Sequence, residues 1–123
     1  MGQVLIFSKM SLATIIPRIH LIEHDHQWRE IDAANSIWES GYWQHFDANN
    51  ARTLIGGSIF FHLTKADRAY MSGRIINIRL AGDNERRPGS IIFVFVRDSL
   101  DQRLLAGGTD WEPAYRPYRK VVY

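Results

Sequence analysis

The chain contains no cysteine. This absence excludes a disulfide scaffold, a thiol nucleophile and a zinc site with cysteine ligands. It is also compatible with folding in a reducing compartment, so we expect a cytoplasmic protein. No stretch reaches the roughly 18 consecutive apolar residues that a membrane-spanning helix needs. Lys9 interrupts the apolar start of the sequence early, so we expect neither a membrane segment nor an export segment.

Motifs that carry catalysis are also missing. The sequence has no Ser or Cys nucleophile in a recognisable turn and no pair of acidic residues at a telling spacing. Gly56-Gly57 lacks the lysine and the following helix of a phosphate-binding loop. His24 and His26 lie on either side of Asp25, but no third ligand follows at a convincing spacing. We therefore expect no catalytic residues, no metal and no cofactor, and a binding protein in preference to an enzyme.

The composition predicts one folded domain over residues 1–123. With 46% hydrophobic residues the chain can bury a core of its own, although its formal net charge is only +2. Most cationic residues lie in the second half, where acidic residues offset many of them, so an anionic partner would bind a local patch. The cations of the second half include Arg68, Arg74, Arg79, Arg86, Arg87, Arg97, Arg103, Arg116, Arg119 and Lys120.

The periodicity predicts one main helix and a series of strands. Apolar residues recur at helical spacing from Gln27 to Glu39, and Ser40-Gly41 provides a stop. A short helical turn is expected over residues 51–54. Strands are expected over residues 4–7, 18–24, 59–63, 73–81, 91–97, 103–106 and 120–123, with Ile76, Ile78 and Leu80 on one face of the fourth.

This order of elements predicts an α+β domain with a mostly antiparallel sheet. We expect the sheet to curl into a small pseudo-barrel, with the helix closing one end. The alternative is an open sheet with helices on one face. A final edge strand at residues 120–123 would also allow homodimerisation or binding of another protein.

The segment from Tyr42 to Arg79 resembles the central section of EVE-type domains in the PUA-like superfamily. The elements of this resemblance are an aromatic turn, Ala48-Asn-Asn-Ala-Arg52, a glycine pair, a strand ending in Phe-Phe-His62 and a Gly-x-Ile-Ile-x-Ile strand. It implies a pseudo-barrel that takes a nucleotide base, often a modified one, into an aromatic-lined pocket. Gly57 stands where the family has an acidic residue.

An aromatic pocket with a cationic rim is the candidate ligand site. Of Trp38, Tyr42, Trp43 and Phe46, Trp43 is the favoured ring for stacking a flat ligand, because it follows the predicted helix stop. We expect Trp43 and His62 on the same cavity wall. The ligand-binding residues predicted are Tyr42, Trp43, His62, Lys65, Arg68 and Arg74.

The aromatic-basic segment near residue 118 is the candidate nucleic-acid contact. Its cations would attract phosphates and its tyrosines would stack on bases. The nucleic-acid-binding residues predicted are Arg116, Tyr118, Arg119 and Lys120. We therefore expect a domain that binds nucleic acid or a nucleotide-like ligand. The alternatives are a small-molecule protein or enzyme using the aromatic pocket with His62, and a protein-interaction or dimerisation module.

Overall fold

The computed structural model describes residues 17–23, 27–44, 46–64 and 66–98, and the backbone of residues 119–122. These residues form seven strands and one short helix. The elements are β1 (Arg18–Ile22), β2 (Arg29–Asp32), β3 (Ile37–Glu39), α1 (Ala48–Arg52), β4 (Ser58–His62), β5 (Met71–Leu80), β6 (Ile91–Asp98) and β7 (Arg119–Val122). The strands predicted at 4–7 and 103–106 lie outside the described residues.

All seven strands belong to one mixed sheet in the order β2-β3-β6-β5-β4-β1-β7. Only β1 and β4 run parallel, so the expected α+β class with a mostly antiparallel sheet is confirmed. The predicted closed barrel is wrong, because a barrel requires its two edge strands to pair. Here β7 extends the sheet beyond β1, while β2 lies at the opposite edge.

The predicted helix from Gln27 to Glu39 is also wrong. This segment forms β2, a four-residue turn and β3. The Asp32 carboxylate accepts hydrogen bonds from the backbone N–H and the side-chain amide of Asn35, which holds the turn. In β3, Trp38 then points to the core and Glu39 to the other face, so the strand period replaces the helical one.

The sheet has two faces with different roles. We call the face that carries the hydrophobic core the core face, and the opposite one the second face. Helix α1 and Leu54 pack on the core face, where Ala51 and Leu54 are fully buried. The core strand residues are Ile19, Leu21, Ile59, Phe61, Met71, Ile75, Ile78, Ile91, Phe93 and Phe95.

A bulge in β5 changes which of its residues are buried. The register with β6 shifts between Ile75 and Asn77. As a result Ile75 and Ile78 both enter the core, whereas Ile76 between them is 37% exposed. The expected common face is therefore wrong for Ile76. It is confirmed for Ile78 and Leu80, which pair with the core residues Phe93 and Ile91. No helix in the described part of the chain is both long and apolar enough to cross a membrane.

Candidate functional site

Trp43, the favoured stacking residue, belongs to the hydrophobic core. Its backbone pairs with Ile91, and its side chain is only 2% exposed. The indole Nε1 has no hydrogen-bond partner among the described residues. A ring buried in this way has no free face for a ligand, so Trp43 supports the core and not a stacking site.

Trp43 and His62 do not lie on one cavity wall. Trp43 pairs with Ile91, which is opposite Leu80 at one end of β5. His62 ends β4 beyond the pairing of Phe61 with Met71, at the other end of β5. At about 3.4 Å per residue, the ten residues of β5 separate these rows by roughly 30 Å along the strand.

Tyr42 is half-buried and borders a small cavity on the second face. The cavity measures about 70 Å³. Ligand pockets usually measure about 300–1,000 Å³, so this one is too small for a nucleobase and suits water or a group of a few atoms. It is lined by Gln27, Arg29, Glu39, Ser40, Tyr42, Arg79 and Ile92.

The charges around this cavity neutralise one another. Arg79 donates to both carboxylate oxygens of Glu39, at 2.6 and 3.0 Å, and also to Glu85 at 2.6 Å. Arg29 donates to Glu39 from the edge strand, and the Tyr42 hydroxyl donates to Glu85. We call these five residues the Arg79 network. It ties β2, β3, β5 and the loop after β5 together, which is a structural role.

The Arg79 network holds both of its carboxylates ionised. The guanidinium of Arg79 lowers the pKa of Glu85 to about 2 and also holds the pKa of Glu39 below its usual value, where burial opposes the effect. The same hydrogen bonds raise the pKa of Arg79. The network is therefore fully charged at neutral pH.

His62 is completely buried and forms part of a short hydrogen-bonded chain. Its Nδ1 lies 2.9 Å from the carbonyl oxygen of Asp67, and its Nε2 lies 2.9 Å from Nδ1 of His20. Because the carbonyl can only accept, His62 donates to it from Nδ1, and a neutral His62 ring then accepts from His20 through Nε2. His20 also stacks on Phe60, with ring centroids 4.9 Å apart. These contacts fix His62 inside the domain, away from any ligand at Trp43.

The predicted cationic residues lie on separate parts of the chain. Arg68 is exposed in the loop before β5, and Arg74 is exposed on the second face of β5. The backbones of Arg119 and Lys120 lie in edge strand β7, where Lys120 is opposite His20. Lys65, Arg116 and Tyr118 lie outside the described residues, as do His24, His26 and His45. Convergence of these cations on one rim stays a prediction.

The structure assembles a different aromatic-cationic group at the β2–β3 edge of the sheet. The guanidinium carbon of Arg97 lies 5.3 Å from the centre of the Trp38 ring. Trp28 meets Trp38 edge-on, at a centroid distance of 5.3 Å. Arg97 is exposed and both tryptophans are half-buried, with their inner sides against the core. We call Trp28, Trp38 and Arg97 the Trp38 platform.

Tyr70 fixes the position of the Trp38 platform. The Trp28 indole donates to the Tyr70 hydroxyl at 3.0 Å, and this hydroxyl donates to the carbonyl oxygen of Glu23 at 2.7 Å. Burial raises the pKa of Tyr70 to about 12, so the hydroxyl keeps its proton at neutral pH. The sequence predicted that Trp38 belongs to an aromatic cluster. It did not predict the contact between Trp38 and Arg97, because this contact depends on the pairing of β3 with β6.

The described residues contain no group of three His, Asp or Glu side chains that could hold a metal ion. Comparison of the chain with protein-family models, curated proteins and solved structures found no match in any of the three. The candidate function therefore depends on the geometry of the chain itself.

Proposed function

We propose that this domain binds single-stranded nucleic acid or a nucleotide-like ligand at the Trp38 platform, without catalysing a reaction. The observation that supports the proposal is the position of the exposed Arg97, whose guanidinium carbon lies over the Trp38 ring at 5.3 Å from its centre. The Trp38 ring holds the guanidinium by a cation–π contact, and the exposure of Arg97 leaves part of that group accessible to a ligand.

An exposed arginine held over an aromatic ring can offer two contacts to a nucleotide. A base can stack on the outer guanidinium face, and a phosphate can accept hydrogen bonds from its edge. Arg97 forms no ion pair with an acid among the described residues, so no carboxylate has to be displaced. A base inside a duplex cannot reach the platform face-on, which favours single strands.

The EVE-type resemblance supports the same class of ligand. We apply this resemblance to residues 42–79 alone. The sheet of this chain is open and Trp43 lies in its core, so neither the barrel nor the pocket that the resemblance implies is carried over. We therefore propose Trp38 and Arg97, in place of Trp43, as the residues on which a base stacks. A small-molecule function at Tyr42 and His62 receives less support, because the cavity at Tyr42 is small and His62 is buried elsewhere.

The test is binding of a labelled single-stranded 12-mer by fluorescence anisotropy over a range of salt concentrations. Arg97→Ala should lower the affinity and reduce the slope of log affinity against log salt by about 0.7, since one phosphate contact is lost. Arg97→Lys keeps the charge but not the planar stack, so it should weaken binding roughly tenfold with the slope nearly unchanged.

Arg52→Ala is the matched control. It removes the same charge from an exposed arginine of α1, whose contact is with Asn49 in its own helix. This variant should bind as the wild type does. An equal loss of affinity in Arg52→Ala and Arg97→Ala would show that the oligonucleotide is held only by non-specific electrostatic attraction. No binding by the wild type at about 50 mM salt would refute the proposal.

A further inference from the structure

We propose a second site, independent of the Trp38 platform, that binds a phosphate group on the second face between Arg18, Ser58 and Arg74. The register places these residues in one row, since Arg18 pairs with Ser58 and Ser58 pairs with Arg74. Ile19, Ile59 and Ile75, which follow each of them, all face the core. By alternation the three side chains lie together on the second face.

The spacing of this row suits an oxyanion. Adjacent strands are about 4.8 Å apart, which puts the Cα atoms of Arg18 and Arg74 about 10 Å from each other across Ser58. Two arginine side chains can converge over that distance on one tetrahedral group. Each guanidinium presents several N–H donors in a plane, and the Ser58 hydroxyl between them supplies one more.

The charges on the second face leave this row without an anion. Neither Arg18 nor Arg74 forms an ion pair with an acid in the described part of the chain. Of the acids on the same face, Asp98 accepts a 2.6 Å hydrogen bond from Ser72, and Glu39 belongs to the Arg79 network. Two like charges on either side of a neutral residue repel each other, and a bound phosphate would remove that repulsion.

The backbone beneath the row is held firmly. The Ser58 amide donates to the carbonyl oxygen of Pro17 at 3.0 Å. A Cβ atom at Gly57 would collide with the same carbonyl oxygen, so the chain before β4 packs directly against the residue before β1. The backbones of Arg18 and Ser58 are therefore fixed before any ligand binds, which reduces the entropy cost of binding.

The experiment measures the thermal midpoint with inorganic phosphate against chloride at constant ionic strength. At about ten times the Kd, binding should raise the folded-to-unfolded ratio about 11-fold, which corresponds to a rise in the thermal midpoint of roughly 5 °C. Arg18→Gln with Arg74→Gln should abolish this rise. The matched control, Arg52→Gln with Arg87→Gln, removes two exposed charges elsewhere and should retain it, as should Arg97→Ala.

Ribose 5-phosphate serves as a second probe. If both probes raise the thermal midpoint, the site binds phosphate groups in general. If only inorganic phosphate raises it, the ligand is free phosphate, and if only ribose 5-phosphate raises it, the ligand is an organic phosphate ester. Amide chemical shifts of the wild type provide a check that needs no variant, and they should change first at residues 18, 58 and 74. No response to either probe, or a response retained after both arginines of the site are replaced, would overturn the proposal.

Discussion

Gly73 shows how a single residue is required by the close approach of two strands. A Cβ atom built on Gly73 would lie 2.5 Å from both the Phe95 ring and the carbonyl oxygen of Val96. The ring could turn, but the carbonyl belongs to the backbone of β6 and cannot move alone. The glycine is needed for this packing and not for its backbone conformation.

We predict that Gly73→Ala lowers the free energy of unfolding by about 3 kcal/mol, the upper part of the range for overpacking. Urea denaturation would measure the change. Gly82→Ala is the control, because the nearest atom to its added Cβ would be 3.8 Å away. An equal effect at the two positions would contradict the steric explanation.

Ser36 is the one residue other than glycine with a positive φ among the described residues, at 53°. It ends the turn between β2 and β3, and its carbonyl oxygen accepts from the Arg97 amide. The left-handed conformation costs residues with a Cβ about 1 kcal/mol, and glycine avoids this cost. Ser36→Gly should therefore stabilise the domain by up to about 1 kcal/mol in the same assay. A loss of stability would show that the Ser36 side chain has a role that the geometry does not reveal.

At the scale of the elements, the Arg79 network makes the free energy of unfolding depend on pH in the acidic range. The pKa of Glu85 is about 2 in the folded chain, against an ordinary value near 4.5, and that of Glu39 is also lowered. A carboxyl group whose pKa is lower in the folded chain stabilises the fold at any pH above its pKa in the unfolded chain. This stabilisation is lost as the pH falls toward the pKa of the folded chain. The contribution should therefore be complete above about pH 5 and decline from there to about pH 2.

Glu85→Gln and Glu39→Gln should each flatten the decline of stability between pH 5 and pH 2, measured by urea denaturation at a series of pH values. Glu39→Gln should also cost about 2 kcal/mol at pH 7, because it removes charged hydrogen bonds from a mostly buried site. Glu30→Gln, on the exposed strand β2, is the control. High salt should reduce the effect of Glu85 more than that of Glu39, which is the less exposed of the two. Identical pH profiles for all four proteins would contradict this account.

The elements also show what the sequence could predict. The strand expected at residues 91–97 is confirmed as β6, and its antiparallel pairing with β5 agrees with the mostly antiparallel sheet that the order of elements predicted. The segment 27–39 failed because Ala33, Ala34 and the spacing of its large residues satisfy a helical pattern. The decisive contacts are the bonds of Asp32 to Asn35 and the pairing of β3 with β6, and only the first of these is local.

At the scale of the whole molecule, the open sheet depends on pairings between distant parts of the chain. Strand β1 pairs with β4 on one side and with β7 on the other, across separations of about 40 and 100 residues. Local patterns carry no information about such partners, so neither the strand order nor the open edges could be predicted. The same reason explains why the Trp38 platform and the row of Arg18, Ser58 and Arg74 emerged only from the register.

The strand order predicts a gradient of local stability across the sheet. Strands β4, β5 and β6 have partners on both sides and carry most of the core, whereas β2 is a four-residue edge strand with mostly exposed side chains and a bulge. Opening β2 exposes little apolar surface, so it should require much less free energy than global unfolding. Native-state hydrogen exchange should therefore show the slowest amides in β5 and β6, and amides of β2 exchanging at least about a hundredfold faster.

Glu39→Gln should widen this difference, because the Arg29–Glu39 bond joins β2 to β3. Protection of β2 equal to that of β5 would mean that this edge is covered in solution, for example by a second copy of the chain, and the rates should then depend on protein concentration.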